Sequence, residues 1–131
     1  MTRRDYSDDE DYYTQEFEQQ DIVSVWLGML GGEHDTEADV LQDLCGVGYY
    51  RLDDQEIHHV DFKQLPVEQL ISALSYSDSF LVQTVEAATK RSIHAAKWVL
   101  VQYDFNYNPI KVQRPVAADP IFIGSFPYTA T

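Results

Sequence analysis

Ile22 to Leu30 reads I-V-S-V-W-L-G-M-L, nearly all apolar, rich in β-branched residues and closed by Gly31 and Gly32. That is the pattern of a strand covered on both faces, so the fold is built around a sheet with a buried centre. A second run of the same kind, K-W-V-L-V-Q-Y-D-F from Lys97 to Phe105, predicts another long strand, ended by Asn106, Asn108 and Pro109. A hairpin is expected to follow it. The returning strand would use Ile110 to Arg114 or, after Pro115, Ile121 to Phe126.

Between these runs the periodicity changes. Thr36 followed by Asp39 resembles a capping box, and Ala38, Val40, Leu41, Leu44 and Cys45 form an apolar stripe, which predicts a helix over 36–45 stopped by Gly46 and Gly48. Tyr49 to Phe62 reads as two extended pieces around an Asp53-Asp54 turn, the second, I-H-H-V-D-F, being a strand. Val67, Leu70, Ile71 and Leu74 fall at helical spacing behind Pro66, which a first turn tolerates. S-Y-S-D-S-F at 75–80 offers capping hydroxyls and restarts a helix through Leu81, Val85 and Ala88 to Arg91, with Lys90 and Arg91 suited to its C-terminal dipole. The order strand, helix, strand, two helices, strand, strand predicts a single α+β domain with a mixed or antiparallel sheet and helices packed on one face.

Charge divides the chain unevenly. Of the nine basic and 22 acidic residues, two and eight lie in 1–21, two and ten in 22–68, and five and four in 69–131, giving −6, −8 and +1. The first 21 residues, rich in Asp, Glu, Tyr and Gln, read as a partly mobile acidic arm, and 22–131 as the folded domain. A field of this sign repels nucleic-acid phosphate and anionic lipid and steers a basic protein, so the expected partner is a basic protein, with no nucleic acid and no membrane. An acidic surface also keeps a protein soluble. The one cysteine, Cys45, forms no internal disulfide, Met1 to Asp11 lacks an apolar signal core, and no run reaches the length of a membrane span. A cytoplasmic setting is expected.

Residues able to do chemistry are sparse. There is no G-x-S-x-G elbow, no phosphate loop and no G-x-G-x-x-G. His58, His59 and Asp61 are the nearest approach to a metal set, but adjacent strand residues point to opposite faces, so one packed and one exposed histidine is the expected outcome. His34 with Asp35 and Glu37 reads as a solvated cap, and His94 as a loop residue. Asp53-Asp54 reads as turn chemistry. No enzyme activity, cofactor or metal is expected. What remains is an acidic and aromatic surface: Glu33, Asp35, Glu37, Asp39 and Asp43 around the 36–45 helix, then Tyr49, Tyr50, Asp53, Asp54 and Glu56. Tyrosine anchors ringed by carboxylates suit an Arg- or Lys-rich partner.

V-S-V-W-L-G at 23–28, L-S-Y-S-D-S-F at 74–80 and V-L-V-Q-Y-D-F-N-Y-N-P at 99–109 together resemble a bacterial family of immunity proteins, the twenty-second of those assigned to polymorphic toxin systems. The resemblance spans about residues 22 to 109. It implies a protein that neutralises a cognate toxin, often a nuclease, by covering its active site, and that carries no catalytic residues. Trp26, Tyr76, Ser77, Phe80, Tyr103, Asp104 and Tyr107 match the motifs, most of them in places that look structural. The competing expectation is an acidic interaction module or regulator whose partner is not a toxin.

Overall fold

The computed structural model describes residues 17–29, 45, 47, 54–61, 63–108, 110 and 120–129. Their elements, in chain order, are β1 (Glu18–Gly28), β2 (Gln55–His58), β3 (Leu65–Pro66), α1 (Val67–Ser72), a 3-10 turn (Ser77–Ser79), α2 (Leu81–Lys90), β4 (Ala95–Ala96), β5 (Trp98–Phe105) and β6 (Ile121–Pro127). Four strands form one sheet in the order β2-β5-β1-β6, each neighbouring pair antiparallel, while β3 and β4 make a two-stranded ribbon. This is an α+β fold.

Residues 22–28 of the apolar run form part of an interior strand, as expected, and alternation sends their side chains to two cores. Val23, Val25 and Leu27 join Val99, Val101, Tyr103 and Ile123 beneath Val67, Leu70, Ile71, Phe80 and Ala88, which places α1 and α2 on this face. Trp26 points the other way, into a cluster with Trp98, Leu100, Phe105, Tyr107, Phe17, Cys45 and Val47. Gly28 lies opposite Trp98 in the β1–β5 register, and a Cβ there would overlap the indole. The glycine is therefore required by close approach, so that the Trp98 ring can lie across the backbone.

Three expectations need correction. The strand starts at Glu18, ahead of Ile22, because Phe17, only 2% exposed, packs on Phe105 and Tyr107 with ring centroids at 5.3 and 5.7 Å, and its carbonyl accepts the Asn106 N–H at 2.7 Å. Glu18 to Asp21 stay exposed, which is why this half of the strand reads as polar. The strand anticipated over 57–62 lies instead at Gln55–His58, followed by Asp61 with a left-handed φ of 51°. Nor do β5 and β6 form a hairpin. Both pair with β1, on opposite sides, because a strand apolar on both faces belongs between neighbours.

The serines before α2 also act differently from expectation, since no side chain caps α1, the 3-10 turn or α2. Ser77 Oγ donates to the Ser72 carbonyl at 3.2 Å and Ser79 Oγ to the Tyr76 carbonyl at 2.8 Å, so the hydroxyls tie the turn to itself. The helix expected over 36–45 and the alternative strand over 110–114 fall outside the described residues, apart from Cys45 and Ile110. Among the described residues no helix is long and apolar enough to cross a membrane.

Candidate functional site

β1 and β5 part company at one end of the sheet. The register slips between Glu18 and Val23 opposite Tyr103 and Phe105, and both Asp21 and Asp104 take left-handed φ, 65° and 55°. Aspartate is one of the few residues that accepts this conformation readily. Asp104 also closes the irregularity: its Oδ1 accepts the Asp21 N–H at 2.9 Å and the Tyr128 hydroxyl at 2.8 Å, while the Tyr128 N–H donates to the Asp21 carbonyl at 3.0 Å. The slip turns Phe105 into the tryptophan-side core and leaves Asp104 half-exposed at the rim.

Beside it, Glu56 of β2 reaches the turn that follows α1. Its Oε1 accepts the Ser75 N–H at 3.0 Å, and the Ser75 hydroxyl lies 3.4 Å from Oε2. The Tyr103 hydroxyl is 2.8 Å from Glu56 Oε1 and 2.7 Å from the Ser75 carbonyl, so a single phenolic proton faces two acceptors. Tyr76, the next residue, is another non-glycine at positive φ (59°), and it is 45% exposed. Its centroid is 5.6 Å from that of Tyr103, edge-on at 81°, and 5.9 Å from that of Tyr128 at 33°, with Tyr103 and Tyr128 5.0 Å apart.

These side chains surround an open cleft of about 400 Å³ lined by Asp54, Gln55, Glu56, Ser75, Tyr76, Tyr103, Asp104 and Tyr128. Three carboxylates and three tyrosines thus share one concavity. Burial, then the hydrogen bond to Glu56 and its charge, push the Tyr103 hydroxyl well above its ordinary range; burial, then the bond to Asp104 and its charge, do the same to Tyr128. Both phenols stay neutral donors at physiological pH, and the negative charge of the cleft rests on its carboxylates. Such walls offer a cation carboxylate oxygens and an aromatic face together. A neighbouring cleft of about 490 Å³, lined by Ser72, Leu74, Tyr76, Ser77, Asp78, Ser79 and Thr129, shares the Tyr76 ring.

Of the surface expected to bind a partner, Asp54 and Glu56 are brought into this cleft; Glu33, Asp35, Glu37, Asp39, Asp43, Tyr49, Tyr50 and Asp53 lie outside the described residues. In the sequence Tyr76, Tyr103 and Asp104 are motif positions with a structural look, and Tyr128 carries no signal. The available signal was Tyr103-Asp104 at a strand end together with an aromatic residue inside a serine-rich turn. His58 is half-buried at the end of β2, whereas His59 and Asp61 are exposed beyond it. Among the described residues no three His, Cys, Asp or Glu side chains are grouped as metal ligands would be. No family model, curated protein or solved structure matches the chain.

Proposed function

We propose that this chain is an immunity-type inhibitor that binds a basic bacterial toxin, such as a nuclease, and occludes its active site in the cytoplasm without turnover. The observation that carries the reading is the tyrosine-walled, carboxylate-lined cleft on a chain of net charge −13. The sequence motifs supply the toxin class by their resemblance to immunity proteins, and Tyr76, Tyr103 and Asp104 of those motifs line the cleft. A basic catalytic surface is drawn to such a face by long-range attraction and held by desolvated contacts at its centre.

Co-expression with the toxin encoded beside it is expected to restore growth, and binding of the purified pair to weaken steeply with added salt. The double variant Asp54→Asn with Glu56→Gln keeps hydrogen-bonding shape and removes two charges. Its affinity should fall about ten-fold, mostly through slower association, and its salt dependence should flatten. A chain that leaves growth arrested, or binds equally well at any salt concentration, overturns the proposal.

A further inference from the structure

The geometry points to an arginine side chain of the partner as the occupant of the cleft, its guanidinium lying on the exposed Tyr76 ring and facing Asp104 and Glu56. This deepens the proposed function and rests on it for the source of the arginine.

Charge favours a cationic occupant, because Asp54, Glu56 and Asp104 line the cavity and none of the described residues lining it is basic. The rings favour one that is also partly flat and apolar. Tyr76 is the most exposed of the three rings, and Tyr103 and Tyr128 back it at 5.6 and 5.9 Å, so a platform is present before any ligand arrives. A guanidinium stacks on such a platform and still directs its N–H groups sideways, whereas an ammonium offers a strongly hydrated point charge.

Acceptors are set where a stacked guanidinium can use them. Among the described residues the donors to Asp104, the Asp21 N–H and the Tyr128 hydroxyl, both go to Oδ1, which fixes the carboxylate and leaves Oδ2 for a further donor. Glu56 is held the same way: Oε1 takes the closer contacts from Ser75 and Tyr103, and Oε2 the longer ones at 3.3 and 3.4 Å. Two immobilised carboxylates, each with an oxygen lightly engaged, cost little further ordering when a fork of N–H donors enters. At about 400 Å³ the cleft admits the guanidinium with part of its stem.

The test uses the full chain with ring-labelled tyrosine, titrated by NMR with N-acetyl-arginine amide, N-acetyl-lysine amide and N-acetyl-citrulline amide at matched ionic strength. The Tyr76, Tyr103 and Tyr128 ring signals should move saturably with the arginine compound, more weakly with lysine, and not with citrulline, which keeps the shape and lacks the charge. Tyr76→Phe should keep binding, while Tyr76→Leu, at an exposed position where the fold tolerates change, should weaken it about two- to five-fold. Equal shifts with citrulline, shifts confined to other tyrosines, or an unchanged affinity in Tyr76→Leu would overturn the assignment, even if a basic toxin were still neutralised. Saturable arginine binding at these rings upholds it, even if the toxin is not bound, in which case the immunity reading is the part that fails.

Discussion

Two aromatic clusters lie at opposite faces of the same strands, and they spend their polar atoms differently. On the tryptophan side, the Tyr107 hydroxyl donates to the Cys45 carbonyl at 2.6 Å, and Ser24 Oγ donates to the Phe105 carbonyl at 2.6 Å while accepting the Tyr107 N–H at 2.9 Å. On the cleft side, the Tyr103 and Tyr128 hydroxyls meet the carboxylates of Glu56 and Asp104, Tyr103 facing the Ser75 carbonyl as well, and the Tyr76 ring stands open to solvent. Where the partner is backbone, the bond closes a core. A carboxylate partner keeps a net charge that a ligand can still meet, so aromatic residues of the same kind serve stability on one face and recognition on the other.

The largest effect that would break this contrast is in the tryptophan cluster. Trp26, 1% exposed, packs on Tyr107 at 4.9 Å and Phe122 at 5.3 Å. Trp26→Ala should cost about 3–5 kcal/mol of stability in chemical denaturation. Partner affinity per folded molecule should be unchanged. A loss of affinity larger than the folded fraction explains would mean that the two clusters are not separate.

Tyr107→Phe probes the backbone bond. Removing the donor to the Cys45 carbonyl should lower stability by about 1–3 kcal/mol. The same residue gives the contrast a pH signature. Burial, then the proximity of Cys45, push its hydroxyl from 10.0 up to about 12. A pKa raised by folding favours the protonated form in the native state. Its stabilisation is therefore complete below pH 10 and is lost as pH rises towards about 12. Tyr103 and Tyr128 are raised further, so their share starts to fall over the same range and continues beyond it. Phenolate absorbance should show these three tyrosines ionising late and together with unfolding. Early, reversible ionisation of all nine tyrosines would remove the burial argument for both clusters.

A smaller effect separates charge from shape at Asp104. Asp104→Ala loses the acceptor for Asp21 and Tyr128 at a left-handed position, and should cost about 1–2 kcal/mol. Asp104→Asn keeps an acceptor oxygen and tolerates that φ, so its stability should stay within about 0.5 kcal/mol of the parent while partner affinity drops. It should also let Tyr128 ionise at lower pH, because the charge of Asp104 is one of the causes of its raised value.

The sheet was legible because its signals are local. The runs at 22–30 and 97–105 state their own burial on both faces, and Val67, Leu70, Ile71 and Leu74 state a helix by spacing alone. Strand order was not legible: the side of β1 that takes β6 is decided by which surfaces remain to be covered, and adjacency in sequence favoured a hairpin that does not form. The cleft was half legible. Glu56 stood out as acidic, but its meeting with Ser75, nineteen residues on, and with Tyr103, 47 residues on, is a product of the fold. Tyr128 was invisible because a tyrosine after a strand reads as an end, whereas its role comes from the Asp104 carboxylate 24 residues earlier.

Tyr76 sharpens the comparison with the smallest effect on folding. An aromatic ring left 45% exposed, on a residue at positive φ, is not placed there by the core. Its backbone is fixed by the Ser79 N–H and hydroxyl, which both donate to the Tyr76 carbonyl, and not by the ring. Tyr76→Leu should therefore change stability by no more than about 0.5 kcal/mol, the range of an exposed substitution. Thermal unfolding measures this directly. A larger loss, near that of Tyr107→Phe, would show the ring to be a lid on Tyr103 and Tyr128, and the exposed tyrosine would then belong with the core.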